Sequence, residues 1–513
     1  MSLRVGKSGP VTIGSGKKRT MRQFLKDTGY RFSQYDGWAK CPITSFKGVL
    51  EYDDLDFDKS KVYTLFWGFD KLEEVPSLNT TGAPFFGHTF DGCKSLKEVP
   101  YFDTSSVERW EYCFKECESL EYIHPLDTSK GDRFECMFYN CKKLRDASWL
   151  NTSSNAYNVM NELFFNCNSL TSVPEVIDTS NVKSMRSTFC GCYELEALPE
   201  FTDTSKVTYW FAAFENCRKI TALPSSLNTS SATNLTYLCR YCYALKEIPA
   251  LDTSKVTTFD STFSRCTSLT TVPALDFSAA INTRLMFYFD SGLKTVPALN
   301  TSKVTDMADM FCGCTSLTTV EEIDMTSVTR MEGVFNNCGS LTQLSVKGQP
   351  KPTAVNSSFS GCSKLPDSMF PSIDTTNITK MWYTYYGCSL LEDPKWTGTP
   401  PKLVGSANAI FYNCPKLKEV PEMDWSQVTG YDNYCFIGCT SLTAIHVKNI
   451  PLSLNICTLT NLGHDALVEI IGNLMDKTGG TTQTLWLSSA HKASLSDAEL
   501  KVATDKNWTV TVY

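Results

Sequence analysis

A period of 23 to 26 residues runs through most of this sequence and leaves it little choice of fold. One copy reads LDTSKVTTFDSTFSRCTSLTTVP, from Leu251 to Pro273. Its cysteine recurs from Cys93, Cys117 and Cys141 through to Cys414 and Cys439, and Asp290 fills the single gap. With a degenerate copy at Gly68–Leu72, about sixteen copies cover roughly residues 52–447. A unit this short cannot bury its apolar face alone, but stacked units can.

Each copy can be read physically. Val256, Phe259 and Phe263 follow at spacings of three and four, which predicts one face of a short helix or 3₁₀ segment. Asp252 and Ser254 precede them and are residue types that cap orphan N–H groups. Cys266, Leu269 and Val272 then step inward in threes, through a tight turn into a short strand that stops at Pro273. The expected fold is a repeat solenoid with a short strand plus a short helix or 3₁₀ segment in each coil.

The run F-x-x-C-x-x-L-x-x-V-P resembles the bacterial-surface-protein (BspA-like) type of leucine-rich repeat. The stretch NTSKVTDMADMF, Asn300–Phe311, is similar to the related repeat of Mycoplasma and Bacteroides surface proteins. The resemblance covers about three quarters of the chain. It implies a leucine-rich-repeat-like, curved β-solenoid whose work is recognition or adhesion. Beyond residue 447 the period fails, and 448–513 reads as a small α/β C-terminal cap. HDALVEIIGNLMDKTGG predicts an amphipathic helix closed by Gly479 and Gly480, and TQTLWLSS a strand. SDAELKVATDKN predicts a helix with a Ser-x-x-Glu capping box, and WTVTVY a last strand. This ending is similar to those on repeat proteins of gut Bacteroidetes and their phages.

Residues 1–50 form a third segment, a basic N-terminal arm or docking element, ahead of the solenoid at 51–447. Residues 1–40 carry nine Lys/Arg against two Asp, a local +7 in a chain of net charge −7, so the remainder stands near −14. Lys17, Lys18, Arg19 and Arg22 are the candidate docking residues, suited to an acidic protein surface. Gly16-Lys17 is not a phosphate loop, because Val11 and Lys18 stand where Gly and Ser/Thr are needed. The arm is short and without interleaved aromatics, so no specific nucleic acid is expected. No apolar run long enough for a secretory signal follows the N-terminal charges, and none anywhere suits membrane insertion.

The chemistry-bearing residues point to packing. The 22 cysteines fall mostly at one per coil, a file of buried thiols acting as small hydrophobes rather than a C-x₂₋₄-C metal shell. Cys239-Arg-Tyr-Cys242 matches C-x-x-C but lies inside a repeat. The five histidines share no metal-binding spacing, and the recurrent Asp/Asn-Thr-Ser runs are structural loop caps. No catalytic residue, metal or cofactor is expected.

What remains is surface. Two outward residues follow the inward Leu of each coil, among them Lys97, Glu98, Tyr122, Lys246 and Glu247. Together they make a polar sheet face, solvated or used for recognition. Aromatics gather at Tyr237, Tyr241 and Tyr243, and again at Trp382, Tyr383, Tyr385 and Tyr386, some necessarily in the core. Tyr241, Tyr243, Trp382, Tyr383 and Tyr386 join the candidate binding residues for a host surface protein or glycan. The leading expectation is a bacteriophage tail or appendage protein, assembled in a reducing host cytoplasm that tolerates free thiols. The arm would dock to other virion proteins, and a homo-oligomer is possible. The alternatives are a bacterial cell-surface adhesin and an intracellular protein-binding scaffold.

Overall fold

Where the backbone N–H groups go decides the path of every coil. In the computed structural model, Phe259, Ser261, Phe263 and Arg265 donate to the carbonyls of Asn282, Arg284, Met286 and Tyr288, one coil on (2.8–3.0 Å). The residues between them, Thr262, Ser264 and Cys266, donate back to Phe259, Ser261 and Phe263 within their own coil. The same alternation recurs from coil to coil. Its backward bonds are 3₁₀-like, but every second N–H is directed to the next coil. The expected helix or 3₁₀ segment is therefore a run of single turns. This geometry forces two residues per coil into the left-handed region, Ser261 (φ 54°) and Arg265 (φ 64°) in this one. The second of them, just before the cysteine, is Gly or Asn in most coils, the residues that tolerate that conformation.

The structure describes the backbone pair Ser2–Leu3 and Val11–Thr12 together with residues 62–75, 78, 80–430 and 434–512. They fall into two units divided between Lys255 and Val256. In both units the inward side chains are those the period marks. Val256, Phe259, Phe263, Cys266, Leu269 and Val272 are all buried. In most coils the ring three residues before the cysteine stacks on its counterpart in the next coil. Phe90–Phe114 and Phe138–Phe164 lie 5.4 Å apart in the first unit, and Phe311–Phe335 and Tyr385–Phe411 5.5 Å apart in the second, all within 5° of parallel. Burying such a ring contributes roughly 2–3 kcal/mol, and each ring pair about 1 kcal/mol more. Cys239 stands at this ring position in the last cysteine-bearing coil of the first unit.

Each file cysteine has a specific partner. Cys117 Sγ donates to the Phe90 carbonyl (3.1 Å), Cys141 to Phe114 (3.0 Å) and Cys338 to Phe311 (3.1 Å). Burial pushes these thiols well above their ordinary pKa. All described cysteines are free, and all but the half-buried Cys457 are buried. A second polar file comes from the Asp/Asn-Thr-Ser run. The Thr hydroxyls are buried and donate to the next coil, as Thr204 does to Asn228 (2.9 Å) and Thr301 to Asp324 (2.7 Å). The Asp accepts from the Ser two residues on, as at Asp203 and Ser205 (2.8 Å). It closes a local loop rather than capping a helix.

The strand side is short. In the first unit β1 (Glu98–Val99) pairs in parallel with β2 (Tyr122–Ile123), and β3 (Val176–Ile177) with β4 (Glu200–Phe201). In the second unit β5 (Thr295–Val296), β6 (Thr319–Asp324) and β7 (Gln343–Lys347) form one parallel sheet. A second sheet joins β8 (Lys402–Ser406), β9 (Glu419–Gly430) and β10 (Ala444–Lys448). The last residues carry β11 (Leu454–Asn455), β12 (Gln483–Leu487) and β13 (Trp508–Val512), again parallel, with three helices. Helix α1 (His464–Gly472) ends well before Gly479, because Leu474 leaves it to bridge Ile450 of the preceding segment. Helix α2 (Ser489–Ala493), capped by Ser488, was not expected. Helix α3 (Asp497–Asp505) has the expected box, with Ser496 and Glu499 bonded reciprocally.

Asp290 shows what the cysteine file requires. Its carboxyl is fully buried, with Oδ1 accepting from Cys266 N (2.8 Å) and Oδ2 without a hydrogen-bond partner among the described residues. Burial holds its pKa well above the ordinary carboxylate range. An unfolded aspartate ionises near pH ~4, so above that the unfolded chain releases a proton the folded one keeps. Stability at this site is therefore fully present below about pH 4. It falls by about 1.4 kcal/mol per pH unit as pH rises towards the folded value. Asp290→Cys is expected to raise Tm at pH 7 and to raise it less at pH 4.5, measured by scanning calorimetry at both.

Candidate interaction surface

The strand face places several expected residues side by side. Glu98 lies in register with Tyr122, and both are exposed. Lys97 Nζ reaches Glu73 (3.0 Å), and His124 Nε2 lies 3.0 Å from Glu98 while its ring meets Tyr122 edge-on (5.0 Å). Lys246 and Glu247 are exposed in a later coil of the same unit, where Glu247 bridges Ala222. Thr hydroxyls at equivalent positions donate to carbonyls of the preceding coil, as Thr318 does to Lys294 (3.0 Å). Exposed pairs of this kind stabilise by about 0–1 kcal/mol each. The face is well solvated; Lys97 and Glu98 are paired, while among the described residues Lys246 and Glu247 make no ion pair.

The turn side is different, because its left-handed residues and their neighbours project large side chains. In the first unit Arg240 bonds the buried Glu215 carboxylate through Nε (2.8 Å). Its guanidinium lies over Tyr237 (4.1 Å) and Tyr241 (4.9 Å). Tyr241 is left-handed (φ 64°), and its ring lies 6.1 Å from that of Tyr243. Arg218 covers Tyr193 at 4.0 Å. These tyrosines are thus partly occupied by their own arginines.

In the second unit Arg265 lies over Phe289 (4.9 Å), and further along the rings meet one another. Trp382 (38% exposed) meets Tyr383 at 90°, and Tyr383 lies 5.8 Å from Tyr386. Tyr386 (38% exposed) stacks on Tyr412 of the next coil at 4.8 Å, and Tyr412 meets Tyr434 (53% exposed). Tyr385 belongs to the core, where its hydroxyl accepts from Trp396 Nε1 (3.1 Å). Tyr412 and Tyr434 extend the row and were missed, although Tyr412 holds the same place in the period as Tyr386.

A further concave site, in the first unit, was not foreseen. His88 bonds Asp91 (2.7 Å) and stacks on Tyr112 (4.6 Å) at a cleft of about 220 Å³. Glu111 is buried there, paired with Arg109. Burial, then the neighbouring Glu162 and Glu111 charges, raises Glu135 above the ordinary carboxylate range. Among the described residues no group of three or more His, Cys, Asp or Glu could hold a metal ion. Cys239 and Cys242 are both buried, and Cys242 Sγ donates to the Phe214 carbonyl (3.1 Å). Lys17, Lys18, Arg19 and Arg22, with the rest of the arm, lie outside the described residues.

Two family models match the chain. One, a BspA-type leucine-rich repeat region in six copies, matches residues 78–196 and 382–462. The other, described as a Mycoplasma protein of unknown function, matches 158–274 and 282–391. Over residues 78–196 and 382–462 the chain carries repeats of the BspA type.

Among solved structures the chain is similar to a leucine-rich cell surface protein from Faecalibacterium prausnitzii, at 17% identity. That match covers 71% of this chain and 83% of that one, with a TM-score of 0.30. A leucine-rich repeat protein from Eubacterium ventriosum matches at 15% identity, over 54% and 84% of the two chains, with a TM-score of 0.23. A chain of the Drosophila Toll–Spätzle complex matches at 13%, over 76% and 44%, with a TM-score of 0.23. No curated protein matches.

The two faces should respond differently to truncation. Arg240→Ala leaves the buried Glu215 carboxylate without its guanidinium and is expected to cost about 1–3 kcal/mol in urea unfolding. Lys97→Ala, on the exposed face, is expected to change stability by less than about 0.5 kcal/mol.

Proposed function

We propose that this chain is a non-enzymatic recognition protein of a bacterial surface, and that the row Trp382, Tyr383, Tyr386, Tyr412 and Tyr434 is its main contact with a partner. The observation that carries this reading is a row of large rings across three consecutive coils in one unit, with Trp382, Tyr386 and Tyr434 exposed and Tyr412 half-buried between them. Tyr and Trp dominate the energetics of protein interfaces, and their flat faces also stack on sugar rings. The partner class is a host surface protein or glycan. The strand-face residues Lys97, Glu98, Tyr122, Lys246 and Glu247 act as solvated surround.

Display on a phage tail, docked through Lys17, Lys18, Arg19 and Arg22, is the finer alternative, and an intracellular scaffold a third. The free thiols suit each of these settings. Buried thiols held protonated react slowly with oxidants, so the fold tolerates an exterior as well as a reducing cytoplasm.

The test is binding of the labelled full chain to epithelial cell membranes and to immobilised mucin glycoprotein. A Trp382→Ala/Tyr386→Ala variant is expected to lose at least about ten-fold in affinity, and Lys97→Ala/Glu98→Ala less than about two-fold. The reverse order would overturn the assignment. Recovery of the chain from purified phage particles rather than bacterial envelopes would favour the virion alternative.

A further inference from the structure

In the second unit, the residue four after each file cysteine normally donates its N–H to the coil before. Thr318 donates to Lys294, Thr342 to Thr318, and Thr443 to Lys418 (2.8–3.0 Å). In the coil that follows β7 this place is held by Pro366, which has no N–H to give. The chain turns there into a 3₁₀ segment, Asp367–Met369, and the exposed Ser368 stands where other coils place an inward apolar residue. The sheet β5–β6–β7 therefore stops at β7, whose far edge has no partner strand among the described residues.

Which groups that edge presents follows from the pairing. Gln343 N donates to Thr318, and Lys347 O accepts from Met325, so the odd-numbered residues of β7 face β6. In a parallel ladder successive residues bond to opposite neighbours, which leaves the N–H and C=O groups of Leu344 and Val346 on the free edge. Among the described residues no backbone hydrogen bond joins them to the coil that follows. The edge borders a cleft of about 770 Å³, walled on its other side by Ser368–Ser372 and Lys395. That volume is in the range of ordinary ligand sites. Glu321, exposed on β6, also lines the cleft, and neither it nor Glu322 makes an ion pair among the described residues.

We propose that the free edge of β7 is a peptide-binding site, where an extended segment of a partner protein carrying a basic residue adds as the next strand of the sheet. An extended backbone supplies N–H and C=O groups at the ~3.3 Å rise that Leu344 and Val346 require. A sugar does not repeat donors and acceptors at that spacing. The unpaired Glu321 and Glu322 favour Lys or Arg on the incoming strand, as complementary charge does across interfaces. Natural proteins usually cover or blunt such an edge, and here the neighbouring coil leaves it open. The site lies on the strand side and does not depend on the aromatic row.

The probe is the fluorescently labelled hexapeptide Thr-Val-Lys-Val-Thr-Val, blocked at both ends, titrated into the full chain and followed by polarisation. Saturable binding is expected, weakened about ten-fold or more when alternate residues are N-methylated in one phase and little changed in the other. Val346→Pro removes an edge N–H while keeping the bonds to β6, and is expected to weaken binding by a similar factor. The methylated peptides test the unmodified chain, so a misfolded variant would leave the answer intact. Equal loss in both phases, no loss in either, or no binding at millimolar peptide would each overturn the proposal.

Discussion

Every coil of this chain depends on an alternation of backbone hydrogen bonds, one N–H to the next coil and the following one back within its own. A segment that gives away half of its donors cannot hold its turns alone, since an isolated coil would leave those N–H groups to water and its apolar face exposed. The repeat is therefore an obligate stack. The same alternation dictates the two left-handed residues per coil, the Gly or Asn before most cysteines, and the close approach that stacks Phe90 on Phe114 and Phe311 on Phe335. Cysteine thiols and threonine hydroxyls fill the interior because each bonds a carbonyl of the adjacent coil while occupying little space.

Once those inward places are filled, the outward ones are free to differ, and they do so by side. The strand side presents Thr and charges, some paired as at Lys97 and Glu73 and some, among the described residues, not, as at Glu321. The turn side presents the large residues that flank the left-handed positions, clamped by arginine at Tyr237 and Tyr241 and open at Trp382 and Tyr386. Where one residue departs from the pattern, the structure departs with it. Pro366 ends a sheet, and Asp290 introduces a carboxyl into a file of thiols.

Much of this was legible in the sequence. The six inward residues of the coil at Val256–Val272 follow from the period alone, and so do the outward Lys97 and Glu98. The helix assigned to Val256–Phe263 was not settled by spacing. Rings four residues apart lie on one side of a helix, but they also lie on one side of two successive single turns, and only the inter-coil bonds separate the two. The Asp/Asn-Thr-Ser run was rightly taken as structural, yet its buried Thr went unnoticed because hydroxyls are expected at the surface. Helix α1 was drawn too long because pairing of Leu474 with Ile450 is a contact between distant segments. In the candidate surface Tyr412 was readable from Tyr386 by counting one period. The cleft at His88 was not, since Asp91, Glu111 and Tyr112 come together only when coils stack.

The central claim is that left-handed residues forced by the inter-coil ladder hold the stack, and Asn216 (φ 61°) tests it most directly. It donates its backbone N–H to Arg240 one coil on (2.8 Å), and its substitution leaves both core files untouched. Urea unfolding of Asn216→Gly and Asn216→Val separates conformation from packing. The account predicts Asn216→Gly within about 0.5 kcal/mol of the parent and Asn216→Val destabilised by roughly 1–2 kcal/mol or more. Equal stability of the two variants would contradict it.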